Sequence, residues 1–267
     1  MLVPGDAMAT AENHELLRRV LEQPDDDAPR LAYAEWCGAQ DDESARARAE
    51  FIRGSLALAR AGSDAERGLR ARVQDLEQEH RSVWALPLAG LVDDVRFDRG
   101  FVELVGLPAP RFVDVADRIL QLAPVRHLRL GAVREALGRL LTLPQLSAIR
   151  SLDLSGNALT DADIQTLARA PGLSGLRWLS LGYNDIGLDG VDALAASPHL
   201  RALRYVCLAG NLVDPSEKYS PEDHRIVDTW LPEEGVQLEQ RHGRIPWLHV
   251  QAETVFEAIP DRFRIAV

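Results

Sequence analysis

Lysine is almost missing from this chain. Of 30 basic residues only Lys218 is a lysine. Such usage suggests a GC-rich genome and excludes no chemistry. Cysteine is nearly as scarce, with Cys37 and Cys207 far apart in 267 residues. Two distant thiols suggest neither a disulfide framework nor a zinc site, which fits a reducing cytosol. Positive charge is short overall: 30 basic residues face 41 acidic ones, a net charge of −11. That balance argues against general attraction to nucleic acid or anionic lipid. Long apolar runs are lacking too. None reaches the ~18 residues that a membrane-spanning helix needs. Residues 1–10 lack a charged-then-apolar signal layout and read as a loose leader, so a cytoplasmic location is expected.

The standard catalytic patterns are also missing. There is no G-x-S-x-G elbow, Walker loop, H-E-x-x-H or G-x-G-x-x-G. The seven His are scattered, and His14-Glu15 opens a metalloprotease pattern without its second His. Asp25-Asp26-Asp27 lacks the alternation and glycine of a calcium loop and reads as a solvated, helix-capping turn. No metal, no cofactor and no enzymatic activity are expected.

Apolar residues are plentiful, at 46%. Their most ordered arrangement lies between Ile149 and Val213. Ile149-Arg150-Ser151-Leu152-Asp153-Leu154-Ser155-Gly156-Asn157-Ala158-Leu159 returns 27 residues later as Leu176-Arg177-Trp178-Leu179-Ser180-Leu181-Gly182-Tyr183-Asn184-Asp185-Ile186. After 27 more comes Leu203-Arg204-Tyr205-Val206-Cys207-Leu208-Ala209-Gly210-Asn211-Leu212-Val213. Each resembles L-x-x-L-x-L-x-x-N-x-L, the leucine-rich-repeat pattern. Apolar first, fourth and sixth places surround a short strand. The Asn at the ninth place can turn inward and bond neighbouring backbone. Thr160-Asp161-Ala162-Asp163 reads as a capping box, and Ile164, Leu167 and Ala168 give the following helix one apolar stripe. Their counterparts are Val191, Leu194 and Ala195. One such unit cannot bury its own apolar face, so neighbours must stack.

Worn copies without the Asn precede these at Val125-x-x-Leu128-x-Leu130 and Val102-x-x-Val105-x-Leu107. Val95 to Val105 also reads as a hairpin turning at Asp98 to Gly100, placed to cap the first repeat. The expected fold is an α/β solenoid over 92–213, a short arc of parallel strands and return helices. A small all-α domain precedes it at 12–86, after the leader at 1–11. After Val213 the period is lost, and 214–267 is either a C-terminal cap or a docking tail. Trp230, Trp247 and Phe263 suit either as anchors.

The all-α stretch carries a second resemblance. Glu15-Leu16-Leu17, Pro24-Asp25-Asp26-Asp27-Ala28-Pro29-Arg30-Leu31-Ala32-Tyr33-Ala34-Glu35-Trp36 and Ala49-Glu50-Phe51-Ile52-Arg53 resemble the repeat-companion domain of large-genome bacteria. That helical module stands at the N-terminus of proteins with leucine-rich or other repeats. Trp36-Cys37-Gly38-Ala39 departs from its usual Trp-Leu-Glu-Glu. The resemblance implies an architecture and brings no catalytic residues with it. Ser63-Asp64-Ala65-Glu66 is read as a further capping box.

Candidate binding residues follow from strand alternation. Third and fifth places point away from the core. They hold His127, Ser151, Trp178 and Tyr205, and Arg129, Asp153, Ser180 and Cys207. Trp178, Tyr205 and Tyr183, the last in the turn before Asn184, are expected to group toward one end of the arc as an aromatic cluster that is either a partner site or cover for the C-terminal flank. Second places form a column of Arg126, Arg150, Arg177 and Arg204. It either grips an acidic peptide or phosphates, or packs its stems along the sheet edge. The reading that results is a protein–protein interaction module, an adaptor or scaffold with a protein partner of unknown identity. The alternative is a regulator of an enzyme or small GTPase, because the scaffold resembles ribonuclease-inhibitor and Ran GTPase-activator repeats.

Overall fold

The computed structural model describes residues 4–60, 67–213, 219–220, 225–226 and 232–249. The chain forms two compact units, one of residues 1–104 with 117–125, the other of residues 105–116 with 126–267. The capping box read at Ser63–Glu66 lies outside the described residues, as do Trp230 and Phe263.

The first unit carries four helices: α1 (Pro4–Glu22), α2 (Ala28–Gly38), α3 (Glu43–Arg60) and α4 (Arg67–Trp84). The all-α stretch expected from residue 12 thus begins at Pro4, inside the stretch expected to be a loose leader. Pro29 stands in the first turn of α2, where a missing N–H costs nothing. The Asp-rich turn before α2 is tied down. Asp26 Oδ1 accepts the Ala28 N–H at 2.9 Å, and Asp27 pairs with Arg60 at 2.7 Å.

Strands β1 (Asp94–Asp98) and β2 (Phe101–Pro108) form the expected hairpin, but its aromatic residues serve the helical unit. Phe97 meets Phe51 edge-on at 5.7 Å, and Phe51 stacks on Trp84 at 4.7 Å. The Arg48 guanidinium lies 4.8 Å from the Trp84 ring centre and 5.0 Å from that of Phe101. Arg30, fully buried on α2, pairs with buried Glu103 on β2 at 2.7 Å. Gly100 turns the hairpin at φ +85°, and a Cβ there would fall 2.6 Å from Ile52 Cγ1. Only glycine satisfies both demands.

The second unit is the repeat arc. After α5 (Ala109–Leu122) come β3 (His127–Gly131), α6 (Val133–Leu141), β4 (Ser151–Asp153), α7 (Asp161–Leu167), β5 (Trp178–Ser180), α8 (Leu188–Ala196) and β6 (Tyr205–Cys207). The strands β3 to β6 form one sheet in chain order. From β3 to β6 the pairing is parallel and keeps the repeat register: Leu128, Leu152, Leu179 and Val206 are successive Cα partners. All four are buried. Each buried leucine contributes roughly 1.5–3 kcal/mol against exposure, so the stacked row is a main source of cohesion. Thr160 N–H donates to Asp163 Oδ2 at 2.9 Å, which starts α7 where the sequence placed it.

The asparagines stitch one turn to the next. Asn157 Oδ1 accepts the Val133 N–H at 2.9 Å, and its Nδ2 donates to Leu130 O at 2.9 Å. Asn184 Oδ1 accepts from Asn157 N–H and Leu159 N–H at 2.9 and 3.0 Å. Asn211 Oδ1 accepts from Ile186 N–H at 3.1 Å.

Beyond β6, β7 (Tyr219–Ser220) pairs antiparallel with β8 (Arg225–Ile226), and α9 (Pro232–His242) lies against α8. Arg241 and His242 both reach Asp192 on α8, at 2.6 and 3.0 Å. Ile245, Trp247 and Leu248 are buried, and the 3-10 turn Pro246–His249 packs against β6.

Candidate protein-interaction face

Parallel register brings the predicted outward columns together. His127, Ser151, Trp178 and Tyr205 are successive partners, and so are Arg129, Asp153, Ser180 and Cys207. Within β4, β5 and β6 burial alternates half-buried, buried, half-buried, so the third and fifth places do face away from the core.

The columns are not uniform. His127 is buried, at 7% exposure, and so departs from the outward set. Arg129 Nε meets Asp153 Oδ2 at 3.2 Å, and Asp153 Oδ1 accepts the Ser155 N–H at 3.1 Å. Ser155 Oγ and Ser180 Oγ share a hydrogen bond at 2.8 Å. This polar strip neutralises its own charge. Burial, with the Cys207 thiol beside it, holds the Tyr205 phenol well above its ordinary pKa. Tyr205 is therefore a neutral phenol at any physiological pH.

Trp178 and Tyr205 are strand partners, both half-buried. Tyr183 stands apart from them, in the turn after β5. It is 61% exposed and takes φ +55°. Its ring lies over Gly210, where a Cβ would fall 2.6 Å from Tyr183 Cδ1. Gly210 is thus a seat for the ring as well as a turn residue at φ +69°. The three aromatics occupy two neighbouring turns. Trp178 and Tyr205 stand at one end of the strands and Tyr183 at the other.

The arginine column is largely occupied with its own backbone. Arg126 Nη1 donates to Ala148 O at 2.5 Å, Arg150 Nη1 to Ser147 O at 3.3 Å, and Arg204 Nη1 to Leu203 O at 3.1 Å. These carbonyls lie in the turns that lead into β4 and β6. Arg177 has an exposed side chain, and its carbonyl accepts both Arg204 N–H and Tyr205 N–H, at 2.8 and 3.2 Å. The column binds turn to strand, as a guanidinium beside orphaned carbonyls should.

Sequence alone does not single out the seventh places, Ser155, Gly182 and Ala209. They continue the two-residue alternation of the strands beyond the third and fifth. Gly182 is buried, and a Cβ there would fall 3.3 Å from Ala209 O. Small residues here keep the floor between the aromatics low.

Among the described residues no group of His, Cys, Asp and Glu is arranged to hold a metal ion. No described helix is long and apolar enough to cross a membrane.

Residues 147–168 and 176–195 match the family model for the Leucine Rich repeat. These two stretches are leucine-rich repeats. They hold β4 with α7 and β5 with most of α8, the best-formed part of the arc. Leucine-rich repeats generally mediate protein–protein interaction. No curated protein and no solved structure matches the chain.

Proposed function

We propose that this chain is a non-enzymatic adaptor that holds a partner protein on the outward face of β4, β5 and β6. The observation that carries the reading is the side-by-side pair of Trp178 and Tyr205, half-buried beside a self-neutralised polar strip. Large, rigid aromatics bury much area at little entropic cost, and such residues dominate binding at interfaces. The partner supplies an apolar patch for these two rings and hydrogen-bonding groups for Ser155, Ser180 and Asp153. Tyr183, the most exposed of the three aromatics, lies at the far margin of the same face. Residues 12–60 serve as a bacterial repeat-companion module, and the whole acts in a reducing cytoplasm that keeps Cys37 and Cys207 as thiols.

Affinity purification from the native host, with the wild-type chain and with Trp178→Ala/Tyr205→Ala, tests the reading. Each truncation is expected to cost about 1–3 kcal/mol of binding, so the doubly substituted chain loses its main partner. Both side chains alternate with the buried row of the strands and are not part of it, so the variant keeps its far-UV circular dichroism and thermal midpoint within a few degrees. An unchanged set of bound proteins would rule out this face.

A further inference from the structure

The first unit contains a groove that the adaptor reading does not use. It lies between α3 and α4, closed at one end by Gly38 of α2, with a volume of about 460 Å³. One face of α3 lines it from Arg46 through Ala49, Glu50, Arg53 and Gly54 to Ala57. At 1.5 Å per residue that face runs for about 16 Å. Across from it stand Leu69, Arg72, Val73 and Leu76 of α4. Both sets recur at helical spacing, three and four residues apart. The two helices approach closely because residue 54 is glycine: a Cβ there would fall 2.7 Å from Val73 Cγ2.

The floor is aliphatic and the rim is basic. Three arginines face one glutamate, in a chain whose net charge is −11. Arg72 is held by Glu50 through two contacts of 2.7 Å. Arg46 rests on Asp41, whose side chain is fully exposed, so that pair is weak. Arg53 meets no carboxylate among the described residues; its Nη2 donates to Ala34 O at 3.3 Å. A guanidinium has five N–H donors, so Arg53 keeps most of its capacity for a second acceptor.

We propose that this groove docks a short amphipathic acidic helix from a partner protein. Its aliphatic side chains would lie over Ala57 and Leu69, above the buried Ala49 and Leu76, and its carboxylates would meet Arg53 and Arg46. Two helix faces side by side favour a third helix in the hollow between them, and the positive rim selects an acidic one. A nucleic-acid backbone would satisfy the arginines but leave the aliphatic floor unused. The groove lies within the first unit and is independent of Trp178 and Tyr205.

The test uses the full-length chain and a fluorescein-labelled 18-residue synthetic peptide. Its leucines stand at i, i+3, i+4 and i+7, and most other positions are glutamate. Saturable binding by fluorescence anisotropy is expected, weakening steadily with added salt. Arg46→Glu/Arg53→Glu should weaken it at least tenfold, and Ala57→Trp should weaken it by filling the groove without changing its charge. Circular dichroism melts check that both variants fold. Trp178→Ala/Tyr205→Ala should bind as the wild type does, so a failure here is separate from a failure of the concave face. The proposal is overturned if the wild-type chain does not bind the peptide. It is equally overturned if folded groove variants bind as well as wild type, or if a single-stranded oligonucleotide of equal charge binds more tightly.

Discussion

Asn184 is the residue on which the repeat arc depends most. Its carboxamide accepts from two backbone N–H groups of the preceding turn and donates to Leu154 O at 3.1 Å, Leu181 O at 2.8 Å and Gly182 O at 3.2 Å. The residue is 5% exposed, so water cannot replace these partners. Asn184→Ala leaves at least two buried donors unmet and should cost about 2–5 kcal/mol. Urea denaturation should show a lower midpoint at an unchanged slope. Asn211→Ala should cost less, because Asn211 is half-buried and stitches on one side only a single N–H. This inward role was legible in the sequence: a conserved place within an internal repeat, polar yet flanked by leucines, has to be satisfied from within. The arginine column was less legible. Second places recur as regularly as ninth ones, but a sequence does not show that Arg150 and Arg204 bend back onto nearby carbonyls.

Among the elements, α8 depends on its neighbour for its start. Where the first good repeat has Thr160, the second has Gly187, which has no side chain to cap with. Asp161 of the preceding turn supplies the acceptor. Its Oδ1 takes the Gly187 N–H at 2.7 Å and the Gly190 N–H at 3.0 Å. Gly190 admits this approach, since a Cβ there would fall 2.5 Å from that oxygen. Asp161→Ala should therefore cost about 1–2 kcal/mol, in the range of a lost N-cap, and loosen the first turn of α8 more than α7. Thermal melts give the loss. Amide exchange at Gly190 and Val191 locates it, and Asp161→Asn should recover most of it. The sequence showed that both helices exist and which faces they bury. It did not show this role of Asp161, because local capping is read within one helix, whereas this cap crosses a repeat. Boundaries at the ends were less legible for a similar reason. Phe97 and Phe101 read as repeat-capping strand residues, but Phe97 joins Phe51 of α3 and Trp84 of α4, and Phe101 meets Tyr33 of α2 and Arg48 of α3, partnerships no local pattern encodes.

For the whole molecule, the parts carry different charges. Between residues 121 and 212 nine arginines stand against seven acidic residues, so the acidity belongs mostly to the flanks of the arc. A near-neutral arc with a self-paired polar strip leaves shape and aromatic area, rather than long-range attraction, to select a partner. The period of the strands made the outward face legible. The burial of His127 and the seat of Tyr183 on Gly210 were not, because both depend on how one turn closes over another. Everything at this scale rests on neighbouring turns sharing backbone hydrogen bonds through their asparagines. Residue-resolved amide exchange of the wild-type chain and of Asn184→Ala tests this most directly. The N–H groups of Asn157 and Leu159 should exchange slowly in the wild type and fast in the variant, while Val133, held by Asn157, stays slow in both. Fast exchange at Asn157 and Leu159 in the wild type, or no change on substitution, would contradict the stacked arrangement.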